Sequence, residues 1–330
     1  MAKQSTAFDA ATTGKIDVQD LMVRFPIAAQ NQRAFIRPVD HVSFTIDAGE
    51  VLALVGESGS GKSTIGKSLV RILEPSGGSI HVNGQDVTHI RQRDLIEYRR
   101  HVQMIFQDPF GSLNPVRTVE QHLAYPLRKH RTTSRSETEE AIDDLLQRVG
   151  LTPVDETRSK YPHQLSGGQR QRVAIARALA VNPKFIVADE PISMLDVSIR
   201  AGVLKLMNDL RVDLDLGYLY ITHDLASARY FGHRIMVLYG GKVMETAPSG
   251  ELIRHPAHPY TRLLLAATPG SGHQGSLPET SNKAPNLLET RRGCPFADRC
   301  PLATEECREE EPPLVTIGTE HTAACHHVAQ

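Results

Sequence analysis

An α/β core with an antiparallel β-layer and a helical insert, followed by a small cysteine-rich end, is the fold this chain predicts. Three observations predict it. Val51–Val55 is a short apolar run, a glycine-rich loop follows at residues 56–63, and Ile65, Leu69 and Ile72 then recur at helical spacing. Strand-like patterns disappear between residues 118 and 180 and resume at Phe185. All four cysteines fall after residue 290.

Composition narrows the function classes. A chain of 330 residues with 40% apolar content can bury a core, and that length suits one large domain or two smaller ones. The net charge of -1 gives no global basic field, and the chain has no Trp. Both argue against nucleic acid as a partner. No apolar run nears the ~20 residues that span a bilayer, and the polar start lacks a signal-peptide core. The expected location is cytoplasmic, with any membrane role reached through partners.

In chain order, residues 1–16 read as a flexible tail and residues 17–25 as the first strand. Residues 26–38, polar and irregular, read as a loop. Val42, Phe44 and Ile46 alternate with polar residues, as in a half-buried strand. Residues 79–82 form a short strand before Asn83-Gly84, a tight-turn signal. Residues 91–100 read as a charged helix and 102–106 as the next strand. The insert, about residues 116–181, has helices over 118–130 and 136–149 and a polar linker over 152–164. Its last helix presents Val173, Ala176 and Ala180 on one face. The α/β pattern resumes with a buried strand ending in Asp189-Glu190, a helix over 198–210 and a strand over 219–222 before His223. A hairpin around Gly240-Gly241 and short helices complete the core at residue 267. Residues 268–290, rich in Pro, Gly, Ser and Asn, read as a linker, and residues 291–330 as the cysteine-rich domain. No internal repeat is present.

Residues 56–63 fit the phosphate-loop pattern G-x-x-x-x-G-K-S/T, in the strand–loop–helix setting that pattern requires. Glycines let the backbone turn its N–H groups toward one anion, and the next helix adds its positive end. The residues assigned to the nucleotide are Gly56, Ser58, Gly59, Ser60, Gly61, Lys62, Ser63 and Thr64. Lys62 reaches the outer phosphates, and the Ser63 hydroxyl holds Mg²⁺. Asp189 ends a buried strand and can support the metal; Glu190 beside it can polarise water. Two acids at a strand end are also commonly just solvated. His223 can hydrogen-bond a γ-phosphate, although 15 His are present. Gln107, after Phe106, carries little by itself. Ser166-Gly167-Gly168 opens a helix and offers a second anion site. One ATP does not easily use two separated phosphate sites on one chain. Two copies facing head to tail resolve this, each cradle completed by the other's Gly-Gly helix end. The residues therefore point to a nucleotide-sandwich dimer.

With these motifs in place, about residues 17–270 resemble the ATP-binding subunits of ABC transporters. Residues 56–63 match the Walker A loop, Gln107 the Q-loop glutamine, and residues 165–169 (Leu-Ser-Gly-Gly-Gln) the signature motif. Residues 185–189 match Walker B, Glu190 the catalytic carboxylate, and His223 the switch histidine. Residues 193–196 (Ser-Met-Leu-Asp) match the D-loop, with Met194 where Ala is usual. The resemblance implies a P-loop ATPase that turns ATP and water into ADP and phosphate. It makes Glu190, His223 and Gln107 catalytic and puts Ser63, Gln107 and Asp189 at Mg²⁺. Ser166, Gly167, Gly168, Gln169 and Asp196 join the nucleotide set, the signature residues acting on a partner's nucleotide. An aromatic in the family's first strand stacks on adenine; Phe25 fits the end of that strand, and Phe35 competes.

Residues 106–115 (Phe-Gln-Asp-Pro-Phe-Gly-Ser-Leu-Asn-Pro) and 258–264 (His-Pro-Tyr-Thr-Arg-Leu-Leu) narrow the resemblance to the oligopeptide/dipeptide/nickel importer branch, second ATPase type. It implies a peripheral protein on the cytoplasmic face of the membrane. Its partners would be a second homologous ATPase subunit in a heterodimer, two integral permeases, and an extracytoplasmic substrate-binding protein that feeds them. Peptides are the expected cargo. Oligosaccharide stays open, because residues 192–196 and 222–229 resemble sugar-type members, and so does nickel. Two readings of another class, a soluble ABC ATPase outside transport and a redox-sensing module, are disfavoured by the single cassette without a coiled coil and by the intact Glu190 and signature.

The cysteines are spaced Cys294-x5-Cys300-x6-Cys307-x17-Cys325. Four thiolates at irregular spacing, two followed by Pro, suit an iron–sulfur cluster. Zinc, whose sites show closer pairs, is the runner-up. Disulfides do not suit a cytoplasmic chain, and free thiols stay open. Similar tails in this branch hold a 4Fe–4S cluster. The resemblance carries it to these four residues, as a staple for a small coreless tail.

Overall fold

The computed structural model describes residues 14–29, 32–130, 134–268, 285–288 and 292–328. The chain opens with β1 (Lys15–Ala29), β2 (Gln32–Asp47), β3 (Val51–Val55), α1 (Lys62–Leu69), β4 (Gly77–Val82) and β5 (Gln85–Asp86). Then come α2 (Leu95–His101), β6 (Val102–Ile105), α3 (Pro109–Ser112), α4 (Val119–His130), α5 (Arg135–Arg148), α6 (Val154–Ser159) and α7 (Gly167–Leu179). They are followed by β7 (Phe185–Asp189), α8 (Val197–Leu214), β8 (Gly217–Thr222), α9 (Leu225–Phe231), β9 (Arg234–Tyr239) and β10 (Lys242–Pro248). The chain closes with α10 (Ser249–Arg254), α11 (Pro259–Ala266), α12 (Glu305–Glu309), β11 (Leu314–Gly318) and β12 (His321–Ala324). These elements form two compact units, divided within β8. One, here the loop unit, holds residues 15–46, 50–89 and 219 onward; the other, the insert unit, holds residues 47–49 and 90–218.

In the loop unit, β3 is buried at all five positions, which is why it reads as a continuous apolar run. It pairs parallel with β9, and β9 pairs antiparallel with β10. Helix α1 buries Ile65 and Leu69 but stops there, because Arg71 turns left-handed at φ 55°. Ile72, expected on the same face, is 50% exposed. A second sheet runs β2-β1-β4-β5. It is the expected antiparallel layer, with Asn83 and Gly84 at positive φ between β4 and β5. The loop expected over 26–38 is instead mostly strand, since β1 runs on to Ala29 and β2 starts at Gln32. A sheet neighbour supplies the hydrogen bonds that a polar sequence alone does not reveal. Arg37 N–H also donates to Leu287 O (2.8 Å), so the last described residues of the expected linker lie against β2. Most of that linker, and the tail up to residue 13, lie outside the described residues.

The cysteine-rich end shares a core with the sheet. β12 pairs with β10 and β11 with β12, so the expectation of a coreless tail is not met. Phe296 is buried and meets the rings of Tyr239 and Tyr260 at 5.3 and 5.2 Å between centroids. Beneath them lies Glu245, on β10 and fully buried. It accepts from the backbone N–H groups of Ala257 and His258 and lies against His321 Nε2, each at 2.8 Å. Glu245→Ala strands these buried groups, so unfolding in denaturant should show a loss of about 2–4 kcal/mol.

In the insert unit, β6 and β7 pair parallel. Helix α5 starts at Arg135, one residue earlier than expected, because Ser134 and Glu137 form a reciprocal capping box. The expected linker over 152–164 contains α6 and a 3-10 turn at Pro162–Gln164. Arg158 of α6 reaches Glu120 on α4 and Asp143 on α5, at 3.4 and 3.0 Å, tying these helices together. Val173, Ala176 and Ala180 are buried as the spacing requires. Among the described residues no helix is long and apolar enough to cross a membrane.

Candidate nucleotide-binding and catalytic site

The phosphate loop links β3 to α1 in the loop unit. Gly61 has φ 107°, and a Cβ there would sit 1.9 Å from Pro38 O, so only glycine fits. A Cβ on Gly56 would meet Leu238 O at 2.2 Å. Lys62, the first residue of α1, is only 5% exposed. Its ammonium curls back to donate to Gly56 O and Glu57 O, both at 2.7 Å, and to Ser60 Oγ at 3.3 Å. The loop is thus wrapped around its own cation, while Ser58 and Gly59 stay exposed. Ser63 and Thr64 follow in the first turn of α1, where helical N–H groups face outward along the axis.

The carboxylates stand in the insert unit. Asp189 ends β7 and is buried. Glu190 follows with φ 46°, a left-handed conformation costly for a non-glycine residue and typical of functional sites. Its carbonyl accepts from Ser193 N–H and Ser193 Oγ, at 3.2 and 3.0 Å. Gln107 Nε2 donates to Glu190 Oε2 at 3.1 Å. The weakest single-residue candidate is therefore joined to the strongest. Ser166 caps α7, accepting from Gln169 N–H (3.2 Å), and Gln169 Oε1 returns a bond to Ser166 N–H (2.9 Å). Gln169 thereby helps to build the helix end. Ser166 is exposed and Gly168 buried, where a Cβ would meet Ile199 at 2.7 Å. Asp196, exposed, precedes α8, and the Arg200 guanidinium holds the turn before it through Leu195 O (2.8 Å).

His223, in the loop unit, is exposed in the turn between β8 and α9. Asp224 shapes that turn by accepting from Ala226 N–H (2.9 Å) and Ser227 N–H (3.3 Å). Phe25 is on the surface at 36% exposure, whereas the Phe35 ring lies under the Arg24 guanidinium at 5.0 Å. Sequence reasoning missed three neighbours of the phosphate loop: Tyr239, Tyr260 and Arg299.

The four cysteines all lie in the loop unit. Burial raises the thiol pKa of Cys294 to about 11, and Cys300, Cys307 and Cys325 add to the rise through their own charges. Burial also raises Cys300 and Cys325. Backbone groups of Phe296, Leu302 and His327 hydrogen-bond to the sulfurs of Cys294, Cys300 and Cys325. The expected ligand shell is nevertheless not assembled. Among the described residues, no group of three or more His, Cys, Asp or Glu is placed to hold a metal ion.

The family comparisons agree with these motifs. Residues 39–193 match the ABC transporter family model, and residues 244–307 match the oligopeptide/dipeptide transporter C-terminal region. The chain is 41% identical to the oligopeptide transport ATP-binding protein AppF of Bacillus subtilis, over 94% of this chain and 96% of that protein. It is 44% identical to the di/tripeptide transport ATP-binding protein DppF of Pseudomonas aeruginosa, over 90% and 92%. Among solved structures, a dimeric ATP-binding cassette in a post-hydrolysis state with ADP and Pi aligns with TM-score 0.63 and 29% identity. That alignment covers 71% of this chain and 98% of the other. The chain belongs to the ABC transporter ATP-binding subunits, an ATPase family, in the branch that carries the oligopeptide/dipeptide transporter C-terminal region.

Proposed function

We propose that this ATPase powers a di- or oligopeptide importer as a peripheral subunit on the cytoplasmic face of the membrane. The observation that carries the reading is the chain's similarity to peptide transport subunits along nearly its whole length, C-terminal region included. Lys62 and the loop N–H groups bind the β- and γ-phosphates, and Phe25 stacks on adenine. Glu190, oriented by Gln107, takes a proton from the attacking water, and His223 donates to the γ-phosphate. Mg²⁺ supplies charge neutralisation to the phosphates. The Ser63 hydroxyl, the Asp189 carboxylate and the Gln107 amide oxygen would hold it, a hard-oxygen donor set that fits the ion.

Exposed Ser166 and half-buried Gly167 act on the nucleotide of a second, homologous ATPase subunit in a heterodimer, and Met194 in the D-loop and Val197 just after it leave apolar surface for that partner. ATP binding closes the pair and hydrolysis reopens it, moving two permeases that receive cargo from an extracytoplasmic binding protein. The test is the assembled transporter in vesicles. Peptide-loaded binding protein should stimulate ATP hydrolysis; stimulation by an oligosaccharide or by nickel instead would overturn the cargo assignment.

Cys294, Cys300, Cys307 and Cys325 are further proposed to hold a 4Fe–4S cluster, with zinc as the alternative. Support comes from the irregular spacing of the four cysteines, two of them followed by Pro, within one compact unit. Anaerobically purified protein should be brown, with about four irons and four sulfides per chain. Colourless protein with stoichiometric zinc would overturn this.

A further inference from the structure

Glu57, the second residue of the phosphate loop, is gripped by groups more than 200 residues further along the chain. Its N–H donates to the Tyr260 hydroxyl at 3.0 Å. Its carboxylate receives both arms of Arg299, Nη1 to Oε2 at 2.7 Å and Nη2 to Oε1 at 2.9 Å. The guanidinium is itself fixed. Nη1 reaches the Tyr239 hydroxyl at 3.3 Å, and the group lies over the Tyr239 and Phe296 rings at 5.6 and 5.7 Å. Its side chain is 12% exposed, against 36% for Glu57. Arg299 ends the short 3-10 turn Ala297–Arg299, between Cys294 and Cys300. Cys294 N–H in turn donates to Cys307 O at 2.8 Å.

A carboxylate inside a loop that gathers phosphates opposes binding through like-charge repulsion. A bidentate guanidinium cancels that charge and fixes the side chain's direction. Meanwhile Glu57 O accepts from Lys62 Nζ, so the placement of Glu57 also affects the cation that meets the phosphates.

We propose that Arg299 is a positioning residue for the nucleotide: it neutralises and holds Glu57, and so sets the phosphate loop's affinity from within the cysteine-rich end. This rests on the loop taking ATP. It assigns the C-terminal region a part in ATP binding that none of the ATP motifs contains.

The experiment measures MgATP affinity of the full chain, and KM and kcat in the assembled transporter. Arg299→Ala should weaken affinity and raise KM by about tenfold, equivalent to about 1.4 kcal/mol, with kcat within twofold. Arg299→Lys, which keeps the charge but not the fork, should fall between. The deciding variant is Glu57→Gln in the Arg299→Ala background. If Arg299 acts by cancelling the Glu57 charge, this double variant returns affinity to within about threefold of wild type. Wild-type affinity in Arg299→Ala would overturn the proposal, and so would a loss that Glu57→Gln fails to repair, which is the signature of a purely structural role. Absence of MgATP binding by the unaltered chain would instead overturn the ATP reading itself.

Discussion

Glu190→Gln stalls turnover while leaving MgATP bound, with kcat lowered by about 10²–10⁴-fold, the usual contribution of a positioned general base. The substitution is close to isosteric, and the features that place residue 190 lie in the main chain. These are its left-handed φ of 46° and the two bonds from Ser193 to its carbonyl. Gln107 can still face the new amide through its own amide oxygen. What is lost is the capacity to accept a proton from water. Single-turnover hydrolysis in the assembled transporter, measured beside equilibrium binding, separates the two steps. Rates near wild type would remove Glu190 from its catalytic role.

Lys62→Ala acts on the other step. MgATP affinity falls by about 10–150-fold, the range expected from losing a charged hydrogen bond worth about 1.5–3 kcal/mol. The ammonium is buried and donates to three loop oxygens. Removing it deprives the phosphates of their cation, takes the ammonium from Gly56 O and leaves Glu57 O with the Ser60 N–H (3.2 Å). Lys62→Arg should not restore binding, because a planar five-donor fork does not fit a slot shaped around a point charge. Titration with a fluorescent ATP analogue reads both variants. Affinity within threefold of wild type in Lys62→Ala would show that the backbone cradle alone carries the phosphates.

Local chemistry was legible in the sequence, and long-range chemistry was not. The phosphate loop, the acids Asp189 and Glu190 and the capped Gly-Gly helix each depend on residues within a few positions of one another, so spacing reveals them. Gln107 became meaningful only through its bond to Glu190, 83 residues away. The strand character of residues 26–38 comes from a neighbouring strand, not from propensity. Nor does periodicity mark β11 and β12: they are short, and β12 is placed by its pairing with β10. Arg299 reads as a charged residue in a cysteine-rich tail, and no pattern in its vicinity points to Glu57, 242 residues earlier.

The pairing of β12 with β10, together with the grip of Arg299 on Glu57, has a consequence for how the chain acquires its structure. The strand beneath the phosphate loop emerges early in synthesis, yet Val51 N–H finds its acceptor on His233, 182 residues later, and Glu57 finds its counter-charge later still. Closing loops of that size has an entropic cost before any contact forms, so high contact order slows folding. The loop unit should therefore close more slowly than the insert unit, most of which is contiguous over 90–218. A nascent chain that already carries Gly56 through Ser63 still lacks the groups that hold Glu57. Full affinity for a nucleotide should be reached only once residue 299 is in place, and ribosome-bound chains arrested before it should retain ATP more weakly than released ones.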